Sequence, residues 1–137
     1  MRYKAFPHYN QLRKNDCAPT CLKIISKYFG KTFEIEYLRN ICCLDSNGVS
    51  VSNLSQAGEL LGFKSVVFDI TFDQLIKKAI LPCIAYLDDK HFVVIYRISF
   101  KYIHVSDPAS KKIKYTYRQF EKKISSRWEV KWNNYMF

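Results

Sequence analysis

Apolar residues at Cys21, Leu22, Ile25, Tyr28 and Phe29 recur as i, i+1, i+4, i+7 and i+8, the buried stripe of a helix, and predict one over Asp16 to Phe29. Gly30 supplies its stop signal. Pro19 lacks a backbone N–H and would break a helix interior, so it belongs in the first turn, which sets Cys17 at the helix N-terminus. Ile35, Leu38, Ile41 and Cys42 suggest a second helix, and Val51, Leu54, Ala57, Leu60 and Leu61 a third that ends at Gly62. Asp45-Ser46-Asn47-Gly48 is the turn between them.

Beyond Gly62 the periodicity shortens. Phe63 to Phe68 reads as a strand, and Thr71-x-x-Gln74 is a capping box opening a short helix to about Ile80. Leu81 to Leu87, Phe92 to Ile98, Tyr102 to Ser106 and Ile113 to Tyr117 are β-branched or aromatic runs separated by short polar segments, the pattern of an antiparallel meander. A short helix over Arg118 to Ile124 and a last strand near Trp128 to Trp132 complete the series. Helices first and strands later predict an α+β domain with helices on one face of an antiparallel sheet. No repeat, low-complexity stretch or linker interrupts it, so residues 1–137 are expected to form a single domain.

Composition narrows the class. With 48% apolar and 16% aromatic residues and only four Gly and four Pro, the chain has the makings of a packed core rather than of a disordered or fibrous protein. Its longest apolar run, Ala79 to Leu87, is far short of the ~20 residues of a membrane-spanning helix. Met1-Arg2-Tyr3-Lys4 does not begin a continuous apolar signal, so a cytoplasmic location is expected. Five cysteines, two of them adjacent (Cys42 and Cys43) and none in a C-x-x-C pair, indicate neither a disulfide framework nor a zinc knuckle. A formal charge of +10 attracts acidic peptides, anionic lipid or nucleic acid without choosing among them, and no nucleic-acid motif accompanies it. Between Lys111 and Lys131 eight Lys or Arg face only Glu121 and Glu129, a run expected to solvate one face.

Cysteine catalysis needs a thiolate, yet an ordinary thiol of pKa ~8.5 is only a few per cent ionised at neutral pH. A helix N-terminus and a neighbouring imidazolium both favour the thiolate. Cys17 has the first, and His91 is the candidate for the second. Ser99 and Phe100 suggest a tight hairpin whose register sets His91 opposite Asp107. Alternation then puts His91, Val93 and Ile95 on one face with Asp107, Val105 and Ile103, and that apolar face is expected to pack on the first helix, bringing Cys17, His91 and Asp107 to one edge. Cys21, Cys42, Cys43 and Cys83 lie in apolar segments and read as core. His8 and His104 read as surface or satisfied histidines, and Asp88-Asp89 as solvated turn carboxylates.

Three signatures, Gln11-x-x-x-x-Asp16-Cys17-x-x-x-Cys21-Leu22, His91-Phe92-Val93-Val94 and Val105-x-Asp107-Pro108, together resemble the family C39 peptidases, the double-glycine leader peptidases usually found at the N-terminus of certain ABC exporters. The resemblance runs from about Pro7 to Trp128. It implies a papain-like fold with Cys17 as nucleophile, His91 as general base and acid, Asp107 as the orienting carboxylate and Gln11 as an oxyanion-hole donor. An amide N–H beside the nucleophile is the kind of donor a tetrahedral oxyanion needs. The implied substrate is a secreted peptide precursor cut after a Gly-Gly or Gly-Ala pair. The implied partner is an ABC exporter, fused or separate, which would hold the domain at the inner face of the membrane; no metal or cofactor is implied. The chain departs from the family pattern at Ala18, where glycine is usual, and at Pro19-Thr20. A papain-like transferase or deamidase, and a leader-docking module without turnover, are the alternatives that the same residues leave open.

Overall fold

The computed structural model describes residues 5–69, 71–78, 80–87, 90–124 and 128–133. Along them run α1 (Cys17–Tyr28), α2 (Ile35–Ile41), α3 (Val51–Leu60), β1 (Lys64–Asp69), α4 (Phe72–Lys78), β2 (Cys83–Tyr86), β3 (Phe92–Ile98), β4 (Tyr102–Ser106), β5 (Lys112–Thr116), α5 (Tyr117–Glu121) and β6 (Trp128–Asn133). Every helix and strand anticipated from periodicity is present, and β3 and β4 have the expected ends. Local chemistry explains several boundaries. After α1 and α3 the chain reverses through Gly30 (φ +86) and Gly62 (φ +95), left-handed positions that glycine adopts without a Cβ clash. The capping box is reciprocal, with Gln74 N–H donating to Thr71 Oγ1 (3.1 Å) and Thr71 N–H to Gln74 Oε1 (2.9 Å). A second box, Thr116 with Gln119, opens α5 in the same way.

The six strands form one antiparallel sheet in the order β1-β6-β2-β3-β4-β5. β2 to β5 are the expected meander. β6 enters between β1 and β2, a long-range pairing that no local pattern announces.

Two expectations about the β3–β4 hairpin require correction. Val94 pairs with Ser106 and Ile95 with Val105, and a bulge between Ile95 and Arg97 then changes the pairing to Arg97 with His104 and Ile98 with Ile103. His91 is therefore not directly opposite Asp107 but two residues out of step. The cause is a three-residue connection, 99–101, where a tighter turn was anticipated, together with the bulge. His91 immediately precedes β3 and Asp107 immediately follows β4, so the two residues still emerge at the same end of the sheet.

The second correction concerns which face meets α1. Ile84, Phe92 and Val94 share a core with Ala18, Cys21, Leu22, Ile24 and Ile25 of α1 and with Leu38 and Leu54 of α2 and α3. Val93, Ile95, Ile103 and Val105 bury on the other side with Leu75 of α4 and Phe120 of α5. The Val93 face is thus not the one covered by α1. β3 is apolar on both faces over Phe92 to Ile95, so alternation had nothing to distinguish them. The large helical layer expected on one face is α1 to α3, and α4 and α5 close part of the opposite face. Among the described residues no helix is long and apolar enough to cross a membrane.

Candidate active site

Cys17 is the first residue of α1, a helix of 12 residues, and is half-buried. Asp16 occupies the N-cap but its carboxylate makes no capping hydrogen bond. Arg39 of α2 claims it instead, Nε donating to Oδ1 at 3.0 Å and Nη2 to Oδ2 at 2.7 Å, and Arg13 N–H adds a bond to Oδ2 at 3.2 Å. Asp16 is fully buried and Arg39 nearly so. Thr20 N–H donates to the Asp16 carbonyl (3.0 Å) and Pro19 has no N–H, so Cys17 N–H and Ala18 N–H are the first-turn donors left over by the helix.

His91 arrives from the β2–β3 connection. Tyr86 pairs with Phe92, Leu87 N–H donates to the His91 carbonyl (2.8 Å), and Lys90 turns the chain at a left-handed φ of 59°. Asp88 and Asp89, expected as turn carboxylates in this connection, lie outside the described residues. Asp107 follows β4, where Ala109 N–H donates to its Oδ1 (2.9 Å) and Lys111 carbonyl accepts its backbone N–H (3.1 Å). His91 Nε2 lies 2.5 Å from Asp107 Oδ1. Cys17 lies close enough to act on the charge of the imidazole, and the two residues line one cleft. With Nε2 committed to the carboxylate, Nδ1 is the ring nitrogen left for the sulfur.

The electrostatics follow from these contacts. Burial disfavours the His91 imidazolium, yet the hydrogen bond to Asp107, the nearby Cys17 and the charges of both outweigh it and raise His91 to about 10. Burial likewise pushes the Asp107 carboxyl up, but the His91 hydrogen bond, the Ala109 N–H and the nearby charges of His91 and His8 hold it below its ordinary value. An imidazole charged at neutral pH, close to a half-buried cysteine at a helix N-terminus, is suited to nucleophilic catalysis.

Gln11, Cys17, His91 and Asp107 line one cleft of about 780 Å³, with Lys14, Asn15, Lys90 and the 46–49 turn at its walls and Tyr86 and Phe92 as apolar lining. Asn15 Nδ2 donates to Asp45 carbonyl (2.8 Å), tying the segment before the nucleophile to that turn. Gln11 N–H donates to Pro108 carbonyl (2.8 Å), tying the same segment to the residue after Asp107. The Gln11 side-chain amide donates to the carbonyls of Arg13 (3.0 Å) and Lys14 (3.1 Å), and its Oε1 is buried without a hydrogen-bond partner. A larger groove of about 1040 Å³, lined by Phe6, Tyr28, Tyr96, Lys27 and Arg97 among others, has no cysteine or histidine among its described lining residues. The four candidate residues thus share the smaller cleft.

Ala18 is buried in the core cluster beside α2 and α3, so its methyl does not narrow the cleft where glycine is usual. Cys21, Cys42 and Cys83 are buried as expected, and burial pushes the Cys42 thiol up to about 12 and Cys21 well above its ordinary value. Cys43 is exposed, against its expected place in the core, because α2 has ended and the chain turns through a left-handed φ of 55° at that residue. His104 bonds Ser99 Oγ (3.3 Å) at the hairpin end remote from the cleft. His8 is satisfied, with Nδ1 2.7 Å from Ser106 Oγ and Nε2 2.6 Å from Asn10 Oδ1. Arg39 is the residue that sequence reasoning missed. It sits beside Leu38 on a short helix, and its only local signal was a lone cation next to an apolar stripe.

The model of the peptidase C39 family matches residues 5–128. Among curated proteins, the chain is 32% identical over 117 residues to the lactococcin-G-processing and transport ATP-binding protein LagD of Lactococcus lactis subsp. lactis, covering 82% of this chain and 17% of that protein. It is 31% identical over 131 residues to the SPbeta prophage-derived sublancin-168-processing and transport ATP-binding protein SunT of Bacillus subtilis (strain 168), covering 90% and 18%. The chain thus spans less than a fifth of the length of these relatives. The fold superposes on the crystal structure of a double glycine motif protease from an AMS/PCAT transporter in complex with the leader peptide, with a TM-score of 0.90, 23% identity and coverage of 93% and 91%. It also matches the peptidase domain of Streptococcus ComA, a bi-functional ABC transporter, with a TM-score of 0.86, 18% identity and coverage of 94% and 98%.

Proposed function

The chain belongs to the peptidase C39 family, and from that premise we propose that it is a cysteine endopeptidase that removes the leader of a secreted peptide precursor after a Gly-Gly or Gly-Ala pair, on the cytoplasmic side of a membrane whose ABC exporter then carries the product. The observation that carries this reading is the convergence of Cys17, His91 and Asp107 on one cleft, with His91 hydrogen-bonded to Asp107.

In the proposed reaction the Cys17 thiolate attacks the carbonyl carbon of the scissile bond, and the oxyanion accepts hydrogen bonds from Cys17 N–H and from Gln11 once one of its amide hydrogens leaves the Arg13 or Lys14 carbonyl. His91 gives a proton from Nδ1 to the leaving amine. It then takes one from the water that attacks the acyl-enzyme, returning the thiolate and releasing the acid. Asp107 holds the ring so that Nδ1 faces the sulfur. Small residues before the cut fit a cleft walled by Tyr86 and Phe92.

Incubation with a double-glycine precursor, read by mass spectrometry, tests the proposal. Cleavage after the pair is expected from the natural chain, and none from Cys17→Ala or from a precursor carrying Val-Val. Hydrolysis by Cys17→Ala would overturn the nucleophile, and cleavage of the Val-Val precursor at a comparable rate would overturn the substrate class.

A further inference from the structure

We propose that Arg39 is a positioning residue of the reaction: by holding the Asp16 carboxylate away from the N-terminus of α1, it keeps that helix end uncapped and positive for the Cys17 sulfur and for the oxyanion. The inference rests on Cys17 being the nucleophile.

An aspartate at an N-cap ordinarily turns its carboxylate back onto the second or third amide of the helix, where it satisfies a free donor and cancels the positive helix end. At the start of α1 such a cap would oppose catalysis. It would put a negative charge beside a sulfur that must itself become negative, and beside the oxyanion that Cys17 N–H is to stabilise. Two features of this sequence prevent it. Pro19 stands at the third helical position and offers no N–H, so Ala18 N–H is the only usual capping target available to Asp16. Arg39 then presents a two-nitrogen fork to both carboxylate oxygens, at 3.0 and 2.7 Å, while Arg13 N–H supplies a third donor at 3.2 Å. Charge-assisted bidentate bonds of this kind outcompete a single amide. With Asp16 fully buried, the carboxylate has no water to turn to if Arg39 is removed. The capping donor that the helix still offers it is then Ala18 N–H.

Glu36 completes the arrangement without altering its sign. It lies on the exposed side of α2, 2.8 Å from Arg39 Nη1, and leaves Nε and Nη2 to Asp16. The geometry separates two tasks that one residue would otherwise confuse. The Asp16 backbone carbonyl starts the helix by accepting Thr20 N–H, while its side chain is diverted to a neighbouring helix.

Alkylation provides a test that needs no substrate. In a Cys43→Ser background, which removes the exposed competing thiol, iodoacetamide should label Cys17 in the full chain, and the ratio of its rates at pH 6 and pH 9 reports how far the helix end favours thiolate. Arg39→Met should lower that ratio by about tenfold. Asp16→Ala combined with Arg39→Met, which removes the carboxylate as well, should recover most of the loss. Arg39→Lys, which keeps a cation near Asp16, should stay close to the parent. Melting curves report folding separately; if Arg39→Met does not fold, the double variant and Arg39→Lys carry the test with the same expected ratios. A double variant that folds but keeps a low ratio would overturn the proposal, because anchoring rather than charge diversion would then be the role of Arg39. An unchanged ratio in folded Arg39→Met would overturn it as well. Failure of Cys17 to label in the parent would instead sink the nucleophile itself.

Discussion

The β3–β4 hairpin carries a histidine near each end, and the two behave in opposite ways. His91 leaves the mouth of the hairpin toward Asp107 and Cys17, which raise it to about 10 despite burial. His104, at the tip, is lowered by burial and then by the charges of Arg97 and Lys114. Both side chains are partly buried, and both accept or donate one side-chain hydrogen bond of reasonable length. Residue type and burial therefore do not separate them. The sign of the neighbouring charge does: carboxylate and sulfur at the mouth, cations at the tip.

The largest expected effect follows from that contrast. His91→Ala should reduce precursor cleavage by about a thousandfold or more, since both proton transfers lose their carrier, whereas His104→Ala should leave kcat/KM within about twofold. A more damaging change at His104 than at His91 would reverse the two assignments. Asp107→Asn comes next. It keeps a hydrogen-bonding group at the same place but no charge, so kcat should fall by about two to four orders of magnitude with KM little altered. A loss confined to KM would assign Asp107 to substrate binding rather than to orienting His91.

Acidity separates the histidines once more, with signs that follow from linkage. His91 is raised above its unfolded value near 6.5, so its contribution to stability is complete below pH 6.5 and is lost as pH rises toward about 10. His104 is lowered, so folding disfavours its charged form and stability is lost as pH falls through and below 6.5. Denaturation profiles from pH 5 to 10 should show His91→Ala flattening the alkaline limb and His104→Ala flattening the acid limb. The same reversal should appear in catalysis, where activity should decline as pH approaches 10 and His91 loses the proton it gives to the leaving amine. An alkaline limb that persists unchanged in His91→Ala would assign it to another group.

How far the sequence reached into this site depends on the range of the interaction. Helix stripes, the capping box at Thr71 and the strand runs are written within a few residues, and all of them appear in the fold. Cys17 was legible for the same reason: Pro19 and the stripe beginning at Cys21 locate the first turn of α1. The register of His91 and Asp107 was not, because it depends on a bulge near Tyr96 and a three-residue connection, neither of which has a distinctive composition here. Both residues meet despite the slip because they lie beyond the ends of β3 and β4, where the chain is free of the strict alternation. The face that α1 covers was hidden by apolar residues on both sides of β3. Arg39 was hidden most completely, since its partner lies 23 positions away and pairing of that kind leaves no period in the sequence.

The smallest effect sharpens the comparison between mouth and tip. Tyr117, the first residue of α5, donates its hydroxyl to the Ser99 carbonyl at 2.5 Å and so fixes the hairpin connection from outside the sheet. The ring also packs in the cluster with Phe120 and Ile103, a contact that phenylalanine keeps. Tyr117→Phe therefore removes one hydrogen bond and little else, a loss of about 1 kcal/mol, or roughly 3–5 °C in Tm for a domain of this size. Ser99, His104 and Tyr117 are not among the residues lining the cleft, and the β4–β5 pairing that carries Ser106 does not pass through Ser99. Cleavage by Tyr117→Phe should accordingly stay within about twofold of the parent while the melting temperature drops. A loss of activity much beyond that, at a temperature where the variant is fully folded, would mean that strain at the connection reaches His91 along β3, and the two ends of the hairpin would then have to be treated as one coupled unit.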